Sequence, residues 1–547
     1  MTPGITRVAS LCAVALVLAW VPAWAPAAAQ AQSAQRADPA PVHGTAQAPV
    51  SPQGASVAPS GTPATPDTSA PSGTPATPPT AADIAALPVA GADTAASPRA
   101  DTSFPTGFRF GTYGRVGFSG DLRGAPGRTT NMVTHGARLM EGSYAETDLG
   151  YGIRLSDGFA VRVLMTLAFF DEFFHFTGNA TQAIAMRNLY AEASGFLKTD
   201  LKVWVGSRMY RGDDIYLLDW WPLDALNTLG GGFSWDSENR AWRLQAHVGV
   251  NRLKDGSMLR TVSVPSTYGA DTITLMERQR VIASAKVTWF GHKLAGDLSL
   301  KVSLYGEYHR LPKGTLRYSG EYKQYFEEFA LAQNPDLMTV LPADDGGVIG
   351  AQIGLWGFGP DSHVNLFARY AWGLAAYGEW GVPWGVALDR TSSGAKEFVL
   401  AASMNWENHD FGLMATSYGR LFVDADRNRY DLDDYWEGIT VVRPAWFATT
   451  HFHVAAEVSH QWKVPRGIGP NDNRHHDPQV VQMSLLPALS LGRGMYRRPE
   501  FRVVYSASWL NADARNLFPK FDERRDRAWQ HYLGLQVEWW LDSSSYP

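Results

Sequence analysis

Three stretches of the sequence place an aromatic ring and charged groups on the same, polar side of an alternating pattern. The members are Tyr113 with Arg115; Arg138, Tyr144 and Glu146; and Gln536, Glu538 and Trp540. A pyranose sugar has apolar C–H faces that can lie on an aromatic ring, and its hydroxyl rim bonds strongly to charged side chains. A single such ring is equally consistent with space filling. Three of them together favour a path for sugars.

The sequence carries no set of residues typical of an enzyme. Its only cysteine is Cys12, so the rest of the chain has no disulfide and no Cys-ligated metal. No Gly-x-Ser-x-Gly elbow and no phosphate-binding glycine loop occurs. Asp424-Ala425-Asp426 begins like a calcium loop, but Arg429 stands where that loop needs glycine. We therefore predict no catalytic residues, no cofactor and no metal, and we interpret this acidic stretch as a solvated loop.

The elements that position these residues alternate between apolar and polar side chains. Residues 242–250, 298–308 and 452–461 do so strictly, which predicts β-strands with one apolar and one polar face. A soluble β-sandwich buries the apolar face, whereas a membrane β-barrel turns it toward lipid around a polar lumen. Tryptophans near predicted strand ends favour the barrel, where they would form interface girdles. They are Trp204, Trp220, Trp221, Trp372, Trp539 and Trp540.

Chain length sets the size of this barrel. Residues 106–540 suffice for about 18 strands at about 24 residues per strand and connection. The predicted fold class is all-β, a transmembrane antiparallel β-barrel of the porin type. A barrel of this width encloses an aqueous channel. The net charge of −5 argues against nucleic acid as a partner.

The first hundred residues differ in composition from the rest. Residues 1–31 have the charge, short apolar core and small-residue cleavage site of a signal peptide. Residues 32–105 are rich in Pro, Ala, Thr and Ser, a composition that predicts a disordered spacer. Such a spacer would contact peptidoglycan or the periplasm, or else be a tolerated low-complexity insert. The barrel domain is predicted over residues 106–547, in the Gram-negative outer membrane.

One stretch is more specific than the alternation. It reads Trp204-Val205-Gly206-Ser207-Arg208-Met209-Tyr210 and continues through an Asp-containing segment to Trp221. Together with Tyr113-Gly114-Arg115, Tyr144-Ala145-Glu146, Arg498-Pro499-Glu500 and the final Gln536-x-Glu538, it resembles the maltoporin (LamB-type) carbohydrate porins. The resemblance runs over about residues 106–541.

The resemblance implies a homotrimer of barrels that passes maltose, maltodextrins or other sugars by facilitated diffusion. It implies an aromatic slide at Tyr113, Tyr144, Trp436 and Trp540. It implies an ionic track at Arg115, Arg138, Glu146, Arg187, Asp214 and Asp219. Trp221 stands at the constriction where the family has tyrosine, a departure that would narrow the channel or change its selectivity.

Three other functions stay open from the sequence. A general porin, or one for another solute, needs charges at its constriction but no row of aromatic side chains along the channel. A barrel enzyme needs a nucleophile and base at its rim. A purely structural barrel needs a plugged lumen.

Overall fold

The computed structural model describes residues 106–545, apart from residues 173, 175–180, 197–199, 252–258, 267–268, 277, 316–339, 382, 384–385, 388, 427–430 and 470. The predicted signal peptide and spacer lie outside the described residues. Within the described part, no helix is long and apolar enough to cross a membrane.

Eighteen antiparallel strands form one closed sheet, because β1 pairs with β2 on one side and with β22 on the other. The predicted porin-type barrel of about 18 strands is thereby confirmed. The barrel strands are β1 (Gly107–Gly120), β2 (Tyr144–Arg154), β3 (Ala160–Glu172), β4 (Thr181–Ser194), β5 (Asp200–Arg211), β6 (Ala225–Asp236), β7 (Trp242–Asn251), β10 (Arg280–Ala295), β11 (Leu298–Leu311), β14 (Asp344–Trp356), β15 (His363–Gly373), β16 (Lys396–Glu407), β17 (Phe411–Val423), β18 (Tyr435–Trp446), β19 (Phe452–Pro465), β20 (Gln479–Ser490), β21 (Glu500–Leu510) and β22 (Trp529–Leu541).

Short elements occur in the connections. The pairs β8 (Leu259–Ser266) with β9 (Gly269–Met276), and β12 (Gly314–Thr315) with β13 (Val340–Leu341), are separate two-stranded sheets. In the described part of the chain, Tyr216–Leu218 and Leu374–Tyr377 are 3-10 turns, and α1 (Ala512–Asn516) and α2 (Glu523–Asp526) are short helices.

The strands alternate as the sequence predicts. In β1, Phe108, Phe110 and Phe118 are exposed on the outer face, whereas Tyr113 is buried on the other. In β22, Leu533 and Leu535 are exposed, whereas Glu538 and Trp540 are buried. The outer face is therefore apolar, as lipid contact requires, and the inner face carries the polar and charged groups.

The two ends of the barrel differ in the length of their connections. At one end, here called the short-turn end, strands are joined by brief turns such as residues 237–241 and 408–410. At the other, the long-loop end, three connections matter for the lumen. They are the first loop (residues 121–143), the third loop (residues 212–224) and the sixth loop (residues 374–395). Porins keep their short turns on the periplasmic side.

The first loop runs inside the barrel, where its backbone bonds to inward side chains of the wall. The amide of Met132 donates to Gln461 of β19 at 3.0 Å, and the amide of His135 donates to Tyr418 of β17 at 3.1 Å. The amide of Arg138 donates to the carbonyl of Leu217 in the third loop at 3.0 Å. The two loops therefore pack together within the lumen.

The third and sixth loops also bond to the inner wall. Lys301 of β11 pairs with Asp213 of the third loop at 2.5 Å. In the sixth loop, Glu379 accepts hydrogen bonds from the amide of Asn227 in β6, at 2.8 and 2.9 Å. Loop backbone at this depth is stable because protein groups satisfy its polar atoms.

Candidate functional site

A buried carboxylate at the inner wall joins both inward loops to the barrel. Glu538 of β22 pairs with Arg138 of the first loop at 2.8 Å and with Arg498 at 3.1 Å. Tyr216 of the third loop donates its hydroxyl to the same carboxylate at 2.7 Å. Arg502 of β21 lies 3.8 Å away. Glu538 is 1% exposed and Arg138 is 3% exposed, so these charges are compensated by protein groups instead of water.

Two further carboxylates balance the excess of guanidinium groups around Glu538. Glu500 accepts from Arg498 at 3.2 Å and from Arg502 at 3.3 Å. Glu141 of the first loop pairs with Arg138 at 2.8 Å. No site role was predicted for Arg498, Glu500 and Arg502 from the sequence. Glu500 and Arg502 share the inner face of β21, and Arg498 lies two residues before that strand begins, so the spacing of two residues between these charges is the signal that marks them.

Two of the proposed slide rings lie beneath this network. Trp540 is 2% exposed, and its ring contacts Tyr216 edge-on at a centroid distance of 6.1 Å and the guanidinium of Arg498 at 4.5 Å. Tyr113 is 3% exposed, and its hydroxyl accepts hydrogen bonds from Arg115 at 3.1 Å and from Arg138. Protein groups therefore cover both rings, which leaves them little surface for a solute.

The third ring, Tyr144, is more open. The guanidinium of Arg115 lies 5.4 Å from its centroid, and that of Arg187 lies 5.6 Å away. Arg115 also pairs with Glu141 at 3.1 Å and with Asp219 at 3.5 Å. The side chains of Arg115, Glu141 and Asp219 are 21%, 23% and 29% exposed. We call these five residues the lumen patch. A partly exposed ring beside charges of both signs is the surface that a sugar's faces and hydroxyls require.

A β-bulge brings Arg187 to the lumen patch. Thr166 of β3 pairs with Asn188, but Leu167 pairs with Met186, so Arg187 has no opposite residue. Bulges turn two successive side chains toward one face. As a result, Arg187 pairs with Glu146, while Asn188 donates to Thr166 at 2.9 Å. Strict alternation in the sequence does not reveal this bulge.

The remaining predicted site residues are more dispersed. Asp214 of the third loop is 7% exposed, and burial raises the pKa of its carboxyl to about 7. Trp221 is half-buried, with the guanidinium of Arg211 at 3.9 Å from its ring centroid. Trp436 lies on the outer face of β18, opposite to its buried neighbour Glu437. The structure therefore does not bring Trp436 to the lumen patch.

Four tryptophans predicted for the membrane girdle lie elsewhere, namely Trp221 and Trp540, whose positions are given above, and Trp204 and Trp220. Trp204 is 3% exposed and stacks within the barrel on Tyr210 and His247, at centroid distances of 5.7 and 5.6 Å. Trp220 lies in the third loop and stacks on His135 at 4.2 Å. The girdle prediction is wrong for Trp204, because it points inward from β5 and packs on rings of β5 and β7. It is wrong for Trp220, because the third loop that carries this residue runs inside the barrel.

The acidic stretch between β17 and β18 is also more buried than predicted. Asp424 and Asp431 are 2% and 6% exposed, and together with Asp426 they place carboxylate oxygens within 4.8 Å of one another. Asp431 accepts from the amide of Asp434 at 3.2 Å. Burial raises the pKa of Asp424 to about 6 and that of Asp431 to about 7. The interpretation as a solvated loop is therefore wrong for these two residues.

Known proteins resemble this chain in a family of sequences and in several solved structures. The LamB porin family model matches residues 108–540. A comparison with curated proteins gives no match. Similar solved structures include OprD from Pseudomonas aeruginosa, 11% identical over 82% of this chain and 96% of that chain, with a TM-score of 0.36. OccAB1 from Acinetobacter baumannii is 11% identical over 80% and 99%, with a TM-score of 0.39. OmpT of Vibrio cholerae is 11% identical over 79% and 96%, with a TM-score of 0.32.

Proposed function

Because the chain belongs to the LamB porin family, and is therefore an outer-membrane β-barrel porin, we propose that it carries sugars by facilitated diffusion. The solutes are maltose-like or other oligosaccharides. The observation that carries this proposal is the lumen patch, where the Tyr144 ring lies between the guanidinium groups of Arg115 and Arg187. We also propose a homotrimer, as the family resemblance implies.

Each part of the lumen patch has a role in passing a sugar. The Tyr144 ring offers a face to the apolar side of a pyranose. Arg115 and Asp219 form a loose ion pair at 3.5 Å, so they can offer a donor and an acceptor to the hydroxyls of the sugar. Partial exposure keeps these groups hydrated, so binding is weak enough for release, as conduction requires.

A general porin without sugar selectivity is the second candidate. It is favoured by one observation, the burial of Tyr113 and Trp540 under protein groups, which interrupts a continuous file of rings. In that case the width of the lumen would select solutes by size, and the charges of the lumen patch would select them by polarity.

Liposome swelling separates the two candidates. Purified protein is placed in liposomes, and the swelling rates with maltose and maltotriose are compared with those for polyethylene glycols of matched size. A sugar porin gives faster swelling with the sugars, and Tyr144→Ala reduces that excess. Equal rates for size-matched sugars and glycols would refute the sugar proposal and leave the general porin.

A further inference from the structure

The chain segment that follows β22 enters the lumen at the short-turn end. We call Asp542–Ser545 the post-barrel segment. Asp542 adopts a positive φ of 46°, which turns the backbone away from the strand direction. Ser543 is fully buried. A Cβ at Gly111 of β1 would collide with the carbonyl of Asp542, so this path depends on glycine at that position.

The post-barrel segment bonds to two buried carboxylates of β2. Ser544 donates its amide to Asp148 at 2.5 Å and its hydroxyl to the same carboxylate at 2.9 Å. Ser545 donates its hydroxyl to Glu146 at 2.5 Å. Glu146 and Asp148 are 1% and 2% exposed. Tyr144 and Arg187 also bond to Glu146, and Thr166 donates to Asp148, so the serine hydroxyls add further O–H donors to these inward carboxylates.

A cavity of about 250 Å³ adjoins the segment. The residues that line it include Asp148, Tyr190, Arg109, Arg162 and Arg208, besides the segment itself. The Arg208 guanidinium lies 4.6 Å from the Tyr190 centroid. The cavity thus offers a ring, hydrogen-bond donors and a carboxylate at one place. Pockets for larger ligands begin at about 300 Å³, so its size suits one sugar unit.

We propose that Glu146, Asp148 and this cavity form a sugar-hydroxyl site at the short-turn end, and that the post-barrel segment occupies it until a sugar displaces it. The inference rests on the proposed function. A sugar hydroxyl and a serine hydroxyl are the same donor to a carboxylate. The segment therefore acts as a built-in competitor that lowers the apparent affinity of the site for sugar.

The test uses the full chain in planar bilayers, with maltose added to one side at a time. The variants are Ser544→Ala/Ser545→Ala, and a truncation after Leu541. Ser194→Ala is the control, because Ser194 lies at the same end of the barrel in β4. We expect both variants to raise the association rate of maltose from the short-turn side about tenfold. The rate from the long-loop side and the Ser194→Ala protein stay unchanged.

A second substitution distinguishes a sugar site from a simple plug. In the truncated protein, Asp148→Asn is expected to weaken maltose block about tenfold, since the carboxylate itself binds the sugar. If maltose blocks the wild type but its association rate from the short-turn side is unchanged in both variants, this inference alone is overturned. If Asp148→Asn leaves maltose block of the truncated protein unchanged, the inference is also overturned. Absence of block in every protein would refute the proposed function as well.

Discussion

Glu538→Gln tests the buried network that joins both inward loops to the wall. The carboxylate binds Arg138 at 2.8 Å and Arg498 at 3.1 Å, and it accepts the hydroxyl of Tyr216 at 2.7 Å. Glutamine has nearly the same shape but no charge. The guanidinium groups would then remain buried at the same place with one compensating carboxylate fewer.

The structure gives the size of this effect. Removing one partner of a buried ion pair costs about 3–5 kcal/mol. Arg138 keeps Glu141 and Arg498 keeps Glu500 as partners, so we expect the lower end, about 3 kcal/mol. A difference of this size changes the ratio of docked to undocked loops about a hundredfold. Because Arg138 and Tyr216 belong to the first and third loops, both loops should leave the wall more often.

Two measurements check this expectation, unfolding by denaturant in detergent micelles and open-channel current noise in planar bilayers. The matched control is Glu523→Gln in α2. Glu523 pairs with Arg527 at 2.8 Å, but its side chain is 57% exposed, so its loss should cost about 0.3–0.5 kcal/mol. Glu538→Gln should lower the unfolding midpoint far more and increase the current noise. Equal stability losses in the two variants, with a steady current in both, would refute the reasoning.

Three further outcomes follow from the structure. Tyr144→Ala should weaken sugar block roughly fivefold to tenfold, from the loss of about 1 kcal/mol of ring contact, whereas Ile153→Ala on the lipid face of the same strand should not; equal effects would contradict the lumen patch. Trp204→Ala should cost about 3–5 kcal/mol in denaturant unfolding, and the exposed Trp242→Ala much less; similar losses would contradict the inward placement of Trp204. Burial raises the pKa of Asp431 to about 7, whereas in the unfolded chain this carboxyl loses its proton at about pH 4. Between these two pH values the folded loop keeps the proton and the unfolded chain does not, so the loop loses stability as pH rises. Hydrogen-exchange protection factors in this loop, which are corrected for the intrinsic rise of exchange with pH, should therefore fall as pH rises from about 4 to about 7, and Asp431→Asn should remove that fall; an unchanged fall in Asp431→Asn would refute it.

The wall of the barrel follows from local sequence, because the side-chain period of a strand is fixed at two. The inner and outer faces of β1 and β22 are those that the alternation predicts. Their pairing, which sets Tyr113 beside Trp540 and Arg115 beside Glu538, closes the barrel. The fold class, the family and the outer-membrane location are confirmed. The roles of the individual site residues stay predictions.

The lumen could not be derived from the same pattern. The spacing of Arg138 predicts that it continues β2, but β2 begins at Tyr144 and Arg138 lies in the first loop. Trp220 is an aromatic residue near a predicted strand end, as girdle residues are, yet its ring stacks on that of His135. Both positions depend on contacts between residues that are far apart in the chain. Such contacts decide which rings remain open, and periodicity carries no information about them.

The most direct test of the account is the titration of maltose and maltotriose into single channels of the wild-type protein in a planar bilayer. We expect a concentration-dependent, saturable block of the ion current, because a sugar held beside Tyr144 and Arg115 excludes ions from the lumen. A current that no concentration of either sugar changes would contradict it and leave a general porin.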